Sequence, residues 1–130
     1  MEDKSDKLSV SMAIIAEEIL NIPIKVKENG GFKKEYLKSR PICKVTFRLP
    51  KEAALRAKKA TIVGEFNNWD EESNQMKRLK DGNFVLTVEL AKGKEYRFRY
   101  LIDGNRWIND WYADKYLKNP YGGEDSVVIV

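Results

Sequence analysis

The sequence has no histidine and one cysteine, Cys43, in 130 residues. The missing histidine removes the commonest general base, the histidine-activated serine and cysteine nucleophiles, and the commonest metal ligand. A lone cysteine rules out an internal disulfide and a cysteine-cluster metal site, and Cys43 reads as a small buried apolar residue on a strand. There is no glycine-rich phosphate loop and no nucleophile elbow. The acids Asp70, Glu71 and Glu72 cluster on one loop, where solvation accounts for them. Glycoside hydrolysis would need two carboxylates facing each other across a cleft. No catalysis, cofactor or metal is therefore expected. No apolar run is long enough to span a membrane. The opening Met1-Glu2-Asp3-Lys4 is acidic and mixed, unlike a signal peptide, so the cytoplasm is the expected compartment.

What is present is enough for one packed domain, or a small domain with an appendage. Hydrophobic residues make up 42% of the chain. The net charge is +4, and lysines and arginines alternate with acids along most of the chain. That pattern describes a solvated surface rather than a nucleic-acid stripe.

Residues 1–40 differ in character from residues 41–130. Leu8, Met12, Ile15 and Ile19 recur at helical spacing, Ser5 and Asp6 offer a cap, and Pro23 ends the run. The spacing predicts an amphipathic N-terminal helix as an extension to the main domain. Ile22 to Lys27 alternates like a short extended segment, and Gly30-Gly31 breaks it. Phe32 to Ser39 is open between a turn of helix and a linker. From Pro41 the period becomes two. Cys43, Val45, Phe47 and Leu49 predict a half-buried strand, and Ala60 to Phe66 a strand buried on both faces. Phe84 to Leu90 and Tyr96 to Ile102 alternate in the same way. Trp107-Ile108 begins a return strand and Ser126 to Val130 closes the chain. Asp81-Gly82 and Asp103-Gly104 are hairpin-turn signals. These short strands, separated by turns and without helical stretches between them, predict an all-β, immunoglobulin-like antiparallel β-sandwich.

Some residues exceed what such a core needs. Trp69 follows a strand end inside the polar stretch "GEFNNWD", and Trp107 follows a hairpin turn. Arg97 and Arg99 alternate with core-facing aromatics, so they point outward. An indole can cover the apolar C–H face of a pyranose, while arginine, asparagine and aspartate serve its hydroxyls. The residues alone leave two readings open: a sugar-contacting surface, or tryptophans folded over a sheet edge beside solvated arginines. Asn67 and Asn68 fit either, because asparagines also bond their own turn backbone.

The combination "VGEFNNWD", then "MKRLKDGNF", then "YRFRYLIDGNRW", then an apolar final strand, resembles the starch- and glycogen-binding carbohydrate-binding module. That module occurs in the β subunit of AMP-activated protein kinase and as the N-terminal early-set domain of glycogen branching and debranching enzymes. The resemblance covers about residues 42–130. It implies non-catalytic binding of α-glucan. Trp69 and Trp107 would stack on glucose units, and Arg99 would bond sugar hydroxyls where the kinase module has lysine. Tyr121 falls near a leucine that threads against the glucan, and Asp125 near an asparagine that contacts it. Asn68, in the turn that delivers Trp69, completes the set. The turn after Asp103-Gly104 carries one extra residue, Arg106, and the segment before the last strand is closer to the debranching-enzyme type. Each tryptophan would contribute about 1–2 kcal/mol of apolar contact, which gives micromolar to millimolar affinity for short oligosaccharides. The alternative is a protein–protein interaction module that kept the fold without the sugar. It would form a homodimer or bind a partner protein through the N-terminal helix.

Overall fold

The computed structural model describes residues 31–130. The N-terminal helix and the Ile22–Lys27 segment expected from the sequence lie outside the described residues. The described chain is all-β, with nine antiparallel strands: β1 (Gly31–Tyr36), β2 (Ile42–Leu49), β3 (Ala60–Gly64), β4 (Lys77–Arg78), β5 (Phe84–Ala91), β6 (Glu95–Ile102), β7 (Arg106–Ile108), β8 (Lys115–Lys118) and β9 (Glu124–Ile129). The first sheet runs β1-β2-β5-β4. The second runs β3-β6-β9-β8, with β7 also paired to β6. Short 3-10 turns at Lys51–Ala53 and Glu65–Asn67 link strands of different sheets.

The period-two pattern sets the core. In β2, Cys43, Val45, Phe47 and Leu49 are buried, and the intervening residues are half-buried. In β6, Phe98, Tyr100 and Ile102 face the same interior. Phe47 of the first sheet meets Phe98 of the second edge-to-face, with ring centroids 5.1 Å apart. This contact joins the two sheets into a sandwich.

Phe32 to Ser39, open between helix turn and linker in the sequence, begins as strand β1. Gly31 to Tyr36 pair in register with Arg48 to Cys43. Phe32 packs against Phe47 and Phe98. The strand signal is weak because β1 is an edge strand, and its run Lys33-Lys34-Glu35 is the kind of charge that keeps an open edge from pairing with another chain. The first sheet thus begins before residue 41, where the sequence places the start of the domain.

The strand read from Ala60 to Phe66 is buried along its whole regular length, Ala60–Gly64. Beyond Gly64 it gives way to a 3-10 turn. Its outer edge is covered by the next segment, since Asn74 O accepts from Ile62 N and Met76 N donates to Ala60 O. Strands β6 and β3 approach closely at Gly64. A Cβ there would lie 2.5 Å from Arg97 O and 2.6 Å from Phe98 Cβ, so only glycine fits.

Candidate functional site

The register of β3, β6, β7 and β9 decides which residues share the outer face of the second sheet. Val63 pairs with Arg99, Leu101 with Trp107, and Arg97 with Val127. Residues directly opposite each other project from the same side. Arg97, Arg99 and Leu101 therefore share one face with Val63, Trp107 and Val127, away from the inter-sheet core. Val63, Leu101 and Val127 are nonetheless buried. The face is thus covered at those three positions and open at Trp107, with Arg97 and Arg99 half-buried.

Arg99 and Trp107 meet on this face. The guanidinium carbon lies 5.7 Å from the centre of the indole ring, a cation–π contact. Trp107 is 38% exposed, so part of its ring remains open. Arg99 Nε is buried and has no hydrogen-bond partner.

Trp69 arrives on the same sheet by a different route. After β3 the chain turns through Glu65–Asn67, and Trp69 N donates back to Gly64 O at 2.8 Å. Asn67 fixes the turn. Its Oδ1 accepts from Gly64 N at 3.0 Å, and its Nδ2 donates to Ile62 O at 3.0 Å and to Asn74 Oδ1 at 2.7 Å. Glu65 Oε1 accepts from Arg97 N at 2.8 Å and ties the turn to β6. The chain then leaves through two consecutive left-handed residues, Asn68 at φ 56° and Trp69 at φ 58°. A bulky aromatic at positive φ is uncommon and costs strain, so the neighbouring bonds must hold it there. Trp69 is 39% exposed. Strand β3, which leads into the turn that bears Trp69, and strand β7, which carries Trp107, flank β6 and so lie about 10 Å apart. Asp70 follows with its carboxyl held below its usual range by Ser73 Oγ and then by Glu72 N.

The remaining residues expected at the site are placed differently. Asp125 is buried, and both its oxygens are engaged. Oδ2 faces Arg97 Nη1 at 3.3 Å, and Oδ1 accepts from Asn119 Nδ2 at 3.0 Å. Its geometry is that of a fastener for Arg97 and for the β8–β9 turn. Tyr121 lies in that turn and is 92% exposed. Asn119 Oδ1 accepts from Tyr121 N and Gly123 N to shape the turn. Strands β9 and β8 lie across β6 from β3, so the turn that bears Tyr121 and the turn that bears Trp69 belong to strands on opposite sides of β6. Asn68 is exposed beside Trp69.

Sequence reasoning missed Glu65 and the role of Asn119. It also missed the buried network behind the face, in which Tyr100 OH donates to Asp110 Oδ2 and Asp110 N donates to Ser126 Oγ. The strand pattern marked Tyr100 as core but gave no sign of its partner. None of the six expected residues lines the two hollows of about 430 Å³ and 410 Å³, although the first is lined by Ile108 and Glu124, the chain neighbours of Trp107 and Asp125. Among the described residues no cluster of His, Cys, Asp and Glu is fit to hold a metal ion, and no helix is long and apolar enough to cross a membrane.

Arg99 and the exposed Trp107 stack on the outer side of the second sheet, and a further exposed indole, Trp69, sits on the turn that follows β3. The family described as carbohydrate-binding module 48 (isoamylase N-terminal domain) matches residues 44–122, and the chain belongs to that family of non-catalytic carbohydrate-binding modules. The chain is also similar to the 1,4-alpha-glucan-branching enzyme, chloroplastic/amyloplastic, of Oryza sativa subsp. japonica, at 29% identity over 93 residues. That match covers 64% of this chain and 11% of the enzyme.

Proposed function

We propose that this chain binds α-glucan (glycogen, starch or maltooligosaccharide) without acting on it, through the outer face of its second sheet. Trp69 and Trp107 stack on glucose rings, and Arg99 donates to hydroxyls between them. Tyr121 and Asn68 stand at the margins, and Asp125 serves the face by holding Arg97. The observation that carries this reading is the pairing of Arg99 with a half-exposed Trp107 on an outward sheet face, in a chain of this family. A core arginine would be paired with an acid, and a structural indole would be covered. The similarity to an enzyme named for an α-glucan supports the choice of sugar.

Retention on amylose resin and calorimetry with maltoheptaose test this. Wild type is expected to be retained and to give measurable heat, and Trp69→Ala to lose most of both. Wild type that shows neither at high protein concentration would overturn the proposal.

A further inference from the structure

We infer that the Arg99–Trp107 face favours α-glucan chains that carry an oxyanion, such as a phosphate monoester, over neutral glucan. The inference rests on the glucan-binding reading above and names the substrate class within it.

The first observation is an unmatched charge. Arg99 carries a guanidinium cation. Its Nε is buried without a hydrogen-bond partner, and none of the ion pairs among the described residues includes it. A cation partly stripped of water and given no counter-charge is stabilised by any anion brought to it.

The second observation is the contrast with Arg97, two residues along the same strand and on the same face. Arg97 Nη1 is matched by Asp125 Oδ2 at 3.3 Å and by Lys118 O at 3.2 Å. The fold supplies a carboxylate to one arginine and withholds it from the other.

The third is the stacked geometry. The Trp107 ring orients the guanidinium but does not neutralise it. A neutral hydroxyl is served as well by lysine or by a side-chain amide. The advantage of a planar fork of donors is capture of a carboxylate or phosphate by paired hydrogen bonds. An anionic group on a sugar that is stacked against Trp107 would complete Arg99 as Asp125 completes Arg97.

A rival source of anion attraction is the basic hollow lined by Lys51, Arg56, Arg78 and Lys80, which also contains Glu52 and Asp81. Arg99 and Trp107 are not among its lining residues, so variants separate the two.

The test is calorimetric titration of wild type, Arg99→Gln and the double variant Lys51→Gln/Arg56→Gln. Each is titrated with maltoheptaose and with the same oligosaccharide bearing one phosphate monoester, at low and high salt. Wild type is expected to bind the phosphorylated sugar about tenfold tighter at low salt, the size of one charge-assisted contact. The advantage narrows as salt screens it. It disappears in Arg99→Gln and survives in the double variant. Equal affinity of wild type for both sugars overturns the inference and leaves glucan binding standing. An advantage that survives in Arg99→Gln but is lost in the double variant also overturns it, and assigns the anion to the basic hollow. Failure of wild type to bind either sugar overturns the glucan reading itself, and the inference with it.

Discussion

Asn67 Nδ2 donates to Asn74 Oδ1 at 2.7 Å and ties the turn that carries Trp69 to the segment along the edge of β3. The same side chain also bonds Gly64 N and Ile62 O, both on buried residues. One carboxamide therefore joins a strand, its edge and the turn that presents an indole. Asn67→Ala leaves those partners unmatched, which is expected to cost about 2–3 kcal/mol of stability in urea unfolding. Amylose retention should fall further than the unfolded fraction explains, because Trp69 is no longer held in place. Asn67→Asp keeps the acceptor for Gly64 N and loses both donors, so it should fall between the two. An Asn67→Ala variant as stable as wild type would show that the backbone alone sets the turn.

The left-handed backbone at Trp69 separates its contribution to binding from its cost to folding. Trp69→Ala and Trp69→Gly both remove the ring, and each should weaken maltoheptaose binding about tenfold, the value of about 1–2 kcal/mol of apolar contact. Their stabilities should differ. At φ 58° an alanine keeps the Cβ clash that glycine avoids, so the glycine variant should unfold at higher urea, by about 1 kcal/mol. Equal or reversed midpoints would count against positive φ at this position.

The sandwich was readable because its inner face follows a period of two. Val45, Phe47, Phe98 and Tyr100 were all placed inside by alternation alone, and all are buried. Strands β1 and β8 escaped because each carries a charged or mixed run whose burial depends on a neighbour distant in sequence. Lys34 Nζ, for example, reaches Asp114 Oδ2 at 2.8 Å across 80 residues. At the site, the "NNW" turn announced a presented indole, and Asn67 does bond its own turn backbone as asparagine chemistry allows. The commitment of Asp125 to Arg97 was not readable, because it depends on β9 lying beside β6, and a single sequence does not state which strands become neighbours. The same holds for the stacking of Arg99 on Trp107. The hairpin signal Asp103-Gly104 put both residues near one turn, but only the register Leu101 to Trp107 sets the indole diagonally beside Arg99.

Behind the face, Tyr100 and Asp110 form a buried pair with a pH signature. Asp110 is 2% exposed, and its Oδ2 accepts from Tyr100 OH while Oδ1 accepts from Tyr112 N. Tyr100→Phe deprives a buried carboxylate of a donor and should cost about 2 kcal/mol or more. Burial first, and the Asp110 charge second, push the Tyr100 hydroxyl well above the ordinary tyrosine range. Its folded value exceeds its unfolded one. The contribution is therefore complete below about pH 10, where the unfolded chain begins to lose the proton, and is lost as pH rises further. Urea midpoints of wild type should decline above about pH 10, and those of Tyr100→Phe should decline less. Parallel alkaline declines would mean that other tyrosines carry the effect.

The acid limb should be set in part by Asp103. The residue sits at φ 51° ahead of Gly104 at φ 76°, as a tight hairpin turn requires. Its side chain does more than form the turn, since Oδ1 accepts from Lys58 N and Lys59 N, each at 2.9 Å. Those two backbone donors, Lys58 first, hold its carboxyl below the usual range, and the charges of Arg106 and Lys58 act the same way. The folded value is thus lower than the unfolded one. Its contribution is present above about pH 4 and is lost as pH falls through the folded value. Asp103→Asn tolerates the left-handed backbone and keeps an oxygen acceptor but has no charge to lose. Below about pH 4 its stability should therefore fall less steeply than that of wild type. Adding Asp70→Asn should flatten the limb further, because Asp70 is lowered by its own bonds to Ser73 and Glu72. Acid titrations of the urea midpoint for the three proteins check this. Identical slopes would show that the Asp103 bonds to the loop are made equally well by the protonated acid.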